Sequence, residues 1–391
     1  YMAFESCTSL EYFDLTRVDK LHMAGFRYCT SLKNIDLSNL KTISSEAFYG
    51  CTSLESIDLS NVEVIYSGAF GDCDGLKEIH INNNIQFDNQ VFYDCSNLEK
   101  VYIDDNVQYI YLPLDTTVDD IFEECNSLKY FYIGKSFMPT VKIDDYVYLN
   151  TDSLGFFFMT ALDKIEVSPE NPYYFTDDGV LYVDEGEIVI LLCYPAAKQG
   201  ECYSTENALK NVKKDFSINY LAFSLKQNIK EVNFTKPIVW PEFMDDGDSM
   251  KSYNLLHHSF FKCSVEKVTF PENGLKVIGH YMFDESQIRE IDLTGVEEIM
   301  RGAFMNCTNL KNVTIPNSVT TIGWAAFDGC KSLTSIIIPA SVKEIIAWGF
   351  SSYLTEVTCR GSRPATIDKL EFNNLRSDAK LYVKKKKKNA Y

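Results

Sequence analysis

The sequence lacks the residue patterns from which catalytic and metal sites are usually built. Only 5 of its 391 residues are histidine, and no His-Glu-x-x-His, Gly-x-Ser-x-Gly or phosphate-binding glycine loop occurs. There is also no Cys-x-x-Cys pair of the kind that holds zinc. These absences predict a protein that is not an enzyme and that binds neither a metal nor a cofactor.

Positive charge and long apolar runs are scarce as well. The chain has 37 lysines and arginines against 55 aspartates and glutamates, which gives a formal net charge of −18. Because nucleic acids and anionic membranes bind basic surfaces, neither is expected as the main partner. No run approaches the roughly 20 apolar residues of a membrane span, so no membrane insertion is expected. The chain opens on YMAFESCTSL, inside a patterned segment, and any export signal is expected to have been lost.

The dominant feature that the sequence does have is an internal repeat. The segment CTSLESIDL at Cys51 has close copies on both sides, at a strict spacing of 22 residues. The repeated cysteines are Cys7, Cys29, Cys51, Cys73 and Cys95, and later Cys125, Cys307 and Cys330. A phenylalanine stands three residues before each of the first five, at Phe4, Phe26, Phe48, Phe70 and Phe92. Each unit therefore reads Ile-x3-Ala-Phe-x2-Cys-x2-Leu-x2-Ile-x-Leu.

Two local structures are expected within one unit. The Leu-x-x-Ile-x-Leu segment that begins at Leu54 predicts a bend and a short strand whose alternate side chains point inward. The spacing of Ala47, Phe48 and Cys51 predicts that they lie on one face of a helical turn. One unit cannot close a core alone. Stacked units can, and the period therefore predicts a solenoid.

The period is interrupted, which divides the chain into predicted segments. Apolar and polar residues alternate around a DEGE turn, so residues 180–183 and 188–192 are predicted as two strands of a β-hairpin. After Cys359 the repeat ends, and the remaining residues are expected to cap the open core. The predicted segments are repeats at 1–164, a β-hairpin insertion at 165–204, repeats at 205–359 and a cap at 360–391.

This repeat unit resembles the BspA-like leucine-rich repeat of bacterial cell-surface proteins. The segments NPYYFTDDGVLYV…LLCYPAAK and RPATI…F…AKLYV are similar to the inserted hairpin and the terminal cap of that family. The resemblance covers nearly the whole chain and implies an α/β repeat fold: a right-handed leucine-rich-repeat solenoid of short strands and helical turns. It also implies a secreted or cell-surface protein that binds other macromolecules without catalysis. Departures from the pattern are Lys226, Glu285 and Ser351, which stand where the repeated cysteine would be, and the lysine run at 384–388, interpreted as a solvated tail.

The repeated cysteines are predicted to be buried free thiols that pack as small apolar side chains. Met159 fills the same position in one unit, which suits packing and not metal ligation. Parallel inward Cβ vectors on neighbouring units would not converge for a disulfide. For Cys193 and Cys202, at the end of the predicted hairpin, both a disulfide in an oxidising compartment and two free thiols stay open.

Two other clusters could suggest metal sites, and neither has the required pattern. His257, His258 and Cys263 lack a matching pair of zinc ligands. The segment MDDGDSM at 244–250 lacks the spaced aspartates and the distal glutamate of a calcium loop. A loop and a solvated turn are the preferred interpretations.

The outward face of the strands is the remaining candidate for function. Between the last two apolar positions of each unit, an acidic row gives way to an imidazole and then to tyrosines. The candidate ligand-binding residues are Asp36, Asp58, His80, Tyr102, Tyr130 and Tyr132. Aromatic residues on a rigid polar surface are typical of binding sites. Tyrosine is also simply favoured in strands, so both interpretations stay open.

Three functions follow from these patterns, in decreasing order of support. The first is a non-enzymatic binding or adhesion protein outside a bacterial cell, expected to be a monomer, which engages a protein or glycan of a host or bacterial surface. The second is a structural spacer that presents another module at the cell surface. The third is an enzyme with a site in the irregular segments 104–160 or 235–262, which the lack of an acid–base or nucleophile constellation disfavours.

Overall fold

The computed structural model describes residues 1–112, 117–138, 140–143, 146–149, 156, 159–239, 256–272, 274–346, 348–350, 352–361, 366–367 and 377–383. The chain forms two compact units. The first comprises Tyr1–Glu185 and Leu192–Lys198, and the second comprises Gly186–Leu191 and Gln199–Tyr391.

Short strands are the main regular elements of both units. In chain order the strands are β1 (Tyr12–Phe13), β2 (Asn34–Ile35), β3 (Thr42–Ile43), β4 (Val64–Ile65), β5 (Glu78–Ile81), β6 (Gln86–Phe87), β7 (Lys100–Ile103), β8 (Tyr130–Ile133), β9 (Thr140–Ile143), β10 (Tyr146–Leu149), β11 (Lys164–Val167), β12 (Tyr174–Asp177), β13 (Val180–Asp184), β14 (Ile188–Cys193), β15 (Cys202–Ser204), β16 (Asp215–Ile218), β17 (Glu231–Asn233), β18 (Lys267–Thr269), β19 (Val277–Ile278), β20 (Glu290–Ile291), β21 (Glu298–Ile299), β22 (Thr321–Ile322), β23 (Ser335–Ile338), β24 (Glu344–Ile345), β25 (Glu356–Cys359), β26 (Thr366–Ile367) and β27 (Lys380–Val383). The helices among the described residues are α1 (Val118–Ile121) and α2 (Glu206–Leu209).

Each repeat contributes strands to parallel sheets within its unit. In the first unit, β5, β7, β8 and β11 form one parallel sheet and β3, β4 and β6 another. In the second unit, β15, β17, β18 and β20 form one sheet, and β19, β21, β22, β24 and β26 form another. The side chains of these strands alternate between the core and the surface. In β5, Ile79 and Ile81 are buried while Glu78 and His80 are exposed, as the two-residue period of a strand requires. The predicted inward and outward strand pattern is thus present.

The predicted helical turn before the cysteine is wrong. Glu46 and Gly50 have φ values of 54° and 72°, in the left-handed region that an α-helix does not contain. The N–H groups of Phe48 and Gly50 donate to the carbonyl oxygens of Ala69 and Gly71 in the next repeat, both at 2.8 Å. A left-handed residue other than glycine costs about 1 kcal/mol. The chain therefore forms successive tight turns, which satisfy their backbone groups between repeats instead of within a helix.

The repeated phenylalanines form a stacked column in each unit. In the first unit, successive ring centroids lie 5.1 to 5.6 Å apart, with interplanar angles of 14° or less. The column of the first unit consists of Phe4, Phe26, Phe48, Phe70, Phe92 and Phe122. In the second unit it consists of Phe223, Phe260, Phe283, Phe304, Phe327 and Phe350. Because each inner ring of a column touches the rings of both neighbours, the column ties adjacent repeats together.

The repeated cysteines have a polar contact that the sequence did not indicate. Each thiol donates a hydrogen bond to the carbonyl oxygen of the column phenylalanine in the preceding repeat, with Sγ···O distances of 3.0 to 3.3 Å. The cysteines in this arrangement are Cys29, Cys51, Cys73, Cys95, Cys125, Cys307 and Cys330. Burial raises the pKa of the Cys51 thiol to about 12, so it stays protonated and can donate at neutral pH.

This burial predicts a specific pattern of thiol reactivity. Cys7, predicted with the other repeated cysteines to be buried, is exposed at the first repeat, and Cys202 is exposed as well. The other ten cysteines, Cys193 among them, are buried. We expect a disulfide reagent at about pH 8 to modify two thiols quickly in the native protein and all 12 after denaturation, since only an accessible thiolate reacts. The Cys7→Ser variant should lose one fast thiol. Fast native reaction of more than two thiols would contradict a sealed cysteine column.

One of the departures from the repeat takes a position that differs from expectation. Counting from the column phenylalanines, Ser286 and not Glu285 occupies the cysteine position: Ser286 is buried, and Glu285 is exposed with a φ of 56°. The Ser286 hydroxyl lies 3.6 Å from the Cys307 sulfur. Lys226 follows Phe223 by three residues and is buried, as its position in the repeat predicts. Ser351 and the lysine run at 384–388 lie outside the described residues.

The irregular segments contain regular structure. The segment 104–160 contains α1 and the antiparallel pair β9 and β10. Around the predicted hairpin, both predicted strands exist as β13 and β14, but β12 was not predicted. It pairs antiparallel with β13 across Asp178 and Gly179, which have φ values of 49° and 76°. These are the left-handed residues of a two-residue hairpin turn.

The handedness of the repeats and the assignment of 360–391 as a cap stay predictions. Within the described part of the cap, β26 pairs with β24 and β27 with β25, both in parallel. No helix in the described ranges is long and apolar enough to span a membrane.

Candidate functional site

Four of the six predicted site residues lie together on the sheet of β5, β7, β8 and β11. The parallel register aligns His80 with Tyr102, Tyr102 with Tyr132, and Tyr132 with Glu166. Tyr130 lies two residues before Tyr132 on the same face of β8, opposite Lys100 and Lys164. We call the surface formed by His80, Tyr102, Tyr130 and Tyr132 the aromatic face.

The rings of the aromatic face touch one another. His80 and Tyr102 stack with centroids 4.4 Å apart and an interplanar angle of 7°. Tyr102 meets Tyr130 and Tyr132 at tilted angles of 52° and 47°, with centroids 5.5 and 6.3 Å apart. Since buried isoleucine, valine and phenylalanine side chains anchor the same strands from the inner side, these rings are held in a fixed arrangement at the surface.

Carboxylates next to the rings accept their polar hydrogens. The Nδ1 atom of His80 lies 3.1 Å from Oδ1 of Asp104, with side chains that are 47% and 33% exposed. The Tyr132 hydroxyl donates to Oδ1 of Asp105 at 3.1 Å, and the Lys135 N–H donates to the same oxygen at 3.0 Å. These contacts orient the rings without burying them.

Glu166 and Lys164 contact Tyr130. Its hydroxyl donates to Oε2 of Glu166 at 3.1 Å, and the Lys164 ammonium donates to the same oxygen at 2.8 Å. The Lys164 nitrogen also lies 5.8 Å from the centroid of the Tyr130 ring. The hydrogen bonds from Lys164 and Tyr130 hold the pKa of Glu166 below its usual value. Partial burial, together with the Glu166 contact, raises the pKa of Tyr130, so at neutral pH the tyrosine is neutral and the glutamate ionised.

Asp36 and Asp58 have a structural role in the repeat. Oδ1 of each accepts a hydrogen bond at 2.9 Å from the backbone N–H two residues later, at Ser38 and Ser60. This is the local turn that aspartate favours where a strand ends. These hydrogen bonds lower the pKa of both carboxyls, which remain exposed. Their participation in ligand binding stays a prediction.

Sequence reasoning missed the polar partners of the aromatic face. Asp104 and Asp105 directly follow β7, and Lys164 stands two residues before Glu166 on the same outward face of β11. The period of two could have indicated Lys164. It could not indicate Asp105, whose contact to Tyr132 spans a repeat of unequal length.

Of the two clusters that could suggest metal sites, the described residues include only the one formed by His257, His258 and Cys263. Burial lowers the pKa of His257 to about 4, with neighbouring His280 and His258 contributing, and burial raises the pKa of Cys263 to about 12. Across the described ranges, no group of three or more histidine, cysteine, aspartate or glutamate side chains is arranged to hold a metal ion. The acidic segment 244–250 lies outside the described residues.

Comparison with known proteins places the repeat in a wider group. Residues 1–113 and 250–375 match the family model of the BspA type leucine-rich repeat region, in six copies. A solved leucine-rich repeat protein from Bacteroides ovatus is 20% identical, with a TM-score of 0.52 over 98% of this chain and 86% of that chain. One from Eubacterium ventriosum is 20% identical, with a TM-score of 0.47 over 88% and 87%.

A leucine rich cell surface protein from Faecalibacterium prausnitzii is 19% identical, with a TM-score of 0.41 over 94% of this chain and 84% of that chain. The likeness to the Bacteroides ovatus protein shows a shared fold of stacked parallel strands. A comparison with curated proteins found no match.

Proposed function

Because the chain belongs to the BspA-type leucine-rich repeat family, we propose that it is a non-enzymatic binding protein on the outside of a bacterial cell. In this proposal the outward face of the strands engages a protein or a glycan of another surface. A fold shared within a family does not specify a ligand, so the site itself must carry the assignment.

The observation that supports the proposal is the aromatic face. Three tyrosines and a histidine lie on consecutive strands of a single sheet, in register and in mutual ring contact. Partly exposed tyrosines held in fixed positions favour binding, because they bring a large contact area at a low cost in conformational entropy. Scattered tyrosines that only suit strand geometry would not require this clustering.

The proposal predicts that the tyrosines carry binding. We expect a fluorescently labelled protein to bind at least one member of an array of glycans and surface proteins. Simultaneous Tyr102→Ala, Tyr130→Ala and Tyr132→Ala substitution should weaken that binding by about tenfold or more, as loss of buried aromatic contacts does. The melting temperature of the variant provides the check that it folds.

A matched control replaces three exposed tyrosines elsewhere, Tyr1, Tyr66 and Tyr353, by alanine. This variant should bind as the original protein does. Equal loss in both variants would show that the aromatic face is not the site. Absence of any binding partner on the array would favour the structural spacer instead.

A further inference from the structure

The hydrogen bonds of the aromatic face indicate what its ligand must supply. The Tyr130 and Tyr132 hydroxyls already donate to Glu166 and Asp105, and the Lys164 ammonium donates to Glu166. Ionised carboxylates have about four lone-pair sites and no donor. The surface therefore presents spare acceptor positions and flat ring faces, while most of its own donors are occupied.

The charged side chains around the aromatic face also favour a ligand that donates hydrogen bonds and carries positive charge. Outward carboxylates occur in nearly every repeat of the first unit, on the strands or directly after them. They are Asp14, Asp36, Asp58, Glu78, Asp104, Asp105 and Glu166. The lysines on the strands of the aromatic face or directly after them are Lys100, Lys164 and Lys135, and each lies within 4.0 Å of a carboxylate, that of Glu78, Glu166 and Glu170. Together with the net charge of −18, this excess of carboxylates attracts cations and repels anions.

Lys164 shows how a cation fits on this face. Its nitrogen is 2.8 Å from Oε2 of Glu166 and 5.8 Å from the centroid of the Tyr130 ring. Both distances are within the ranges at which a charge-assisted hydrogen bond and a cation–π contact are attractive. Further ring and carboxylate groups follow on the neighbouring strand: Tyr102 stacks on His80, and Asp104 and Asp105, directly after β7, contact His80 and Tyr132.

We infer that the aromatic face binds a basic polypeptide segment, whose arginine or lysine side chains lie on the tyrosine rings and pair with the neighbouring carboxylates. The inference rests on the proposed function, because it names the partner chemistry of the same face. An anionic glycan would meet carboxylates. A neutral glycan could donate its hydroxyls to the same carboxylates but carries no charge, so the acidic surface favours a cationic segment over it. The three steps from His80 to Glu166 span about 14 Å, so roughly four extended residues would cross the face.

The experiment uses the protein with a labelled ten-residue peptide of alternating arginine and serine, and a second peptide in which citrulline replaces each arginine. Citrulline keeps the shape of arginine and removes its charge. By fluorescence anisotropy in dilute salt, we expect the arginine peptide to bind about tenfold more tightly than the citrulline peptide, with the difference shrinking as salt rises. Equal binding of the two peptides would overturn the inference.

The Lys164→Ala variant tests whether the ligand of the aromatic face is a cation or an anion. Lys164 occupies Glu166 and the Tyr130 ring, so its removal should tighten binding of the arginine peptide about threefold. An anionic ligand would be bound more weakly by the same variant. The control Lys267→Ala removes an exposed lysine from β18 in the second unit and should give the smaller change due to net charge alone. Weaker or unchanged peptide binding by Lys164→Ala, relative to this control, contradicts a cationic ligand.

Two variants that each remove one carboxylate test where the peptide binds. Glu166→Gln should weaken binding of the arginine peptide about fivefold, while Glu344→Gln, which removes an exposed carboxylate of β24, should change it less than about twofold. Equal losses would mean that the peptide follows net charge and not the aromatic face. If neither peptide binds while an array partner depends on the three tyrosines, the basic-partner inference fails and the proposed function stands. If no array partner depends on those tyrosines, the proposed function fails with it.

Discussion

The Phe70→Ala substitution is expected to lower the free energy of unfolding by about 3–5 kcal/mol, as truncation of buried aromatic side chains does. Phe70 is fully buried, and its ring stacks between Phe48 and Phe92 at centroid distances of 5.3 and 5.6 Å. Removal of the ring leaves a cavity between two repeats and breaks the column on both sides. Urea denaturation followed by circular dichroism would measure the change.

Two control variants distinguish the cost of losing a ring inside the column from the cost of losing any aromatic ring. Phe4 stands at the end of the same column, is only half-buried and stacks on the single column neighbour Phe26, so Phe4→Ala should cost clearly less. Tyr66→Ala removes an exposed ring and should cost less than about 1 kcal/mol. A Phe70→Ala cost no larger than that of Tyr66→Ala would contradict the role of the column in joining repeats.

The Cys73→Asp substitution is expected to cost about 4 kcal/mol or more, enough to remove much of the stability of a typical domain. The Cys73 thiol is buried and donates to the Phe48 carbonyl oxygen at 3.2 Å. An aspartate there would place a buried carboxylate against a carbonyl oxygen, so that two acceptors face each other without a proton between them. The same denaturation measurement would report the loss.

Substitution by serine and by alanine tests whether the donor matters. Cys73→Ser keeps a donor, as Ser286 does at the equivalent position of another repeat, whereas Cys73→Ala leaves the Phe48 carbonyl without its second hydrogen bond. Both should fold, Cys73→Ser at a cost of about 1 kcal/mol and Cys73→Ala, which lacks the donor, at about 2 kcal/mol. Near-normal stability of Cys73→Asp would show that water reaches the buried cysteines. That result would contradict the expected slow reaction of these thiols in the native protein.

Much of the fold was predictable because the repeat supplies the same evidence many times. Alternation of buried and exposed residues in β5, β7 and β8 follows directly from the Leu-x-x-Ile-x-Leu spacing. The helical turn was mispredicted because a spacing of three or four residues suits both a helix and consecutive tight turns. The turns prevail because Phe48 and Gly50 find hydrogen-bond acceptors in the next repeat.

Register errors arose where the units are not uniform. The leucine spacing placed Glu285 in the cysteine column, but the column phenylalanines place Ser286 there, because the link between column and strand is one residue shorter in this repeat. The strand β12 was missed although Asp178 and Gly179 form a common hairpin turn, because the alternation around the DEGE segment indicates only the following pair of strands, β13 and β14.

The candidate site was predictable in its rings and not in its polar partners. The period places His80, Tyr102 and Tyr132 in one outward row, and the structure aligns them in register. The contacts of Asp105 and Glu166 join residues 27 and 36 positions apart, across repeats of different lengths. Such contacts depend on how a loop returns to the sheet, which no fixed period encodes.

By itself, the sequence determined the family, the parallel strands and the identity of the inward side chains, because one unit cannot bury its apolar residues alone and a fixed period leaves stacking as the solution. Only the tertiary structure decided the tight turns, the thiol hydrogen bonds and the carboxylates that surround the aromatic face. These features depend on backbone groups and side chains of neighbouring repeats, which come into contact only after the chain has stacked.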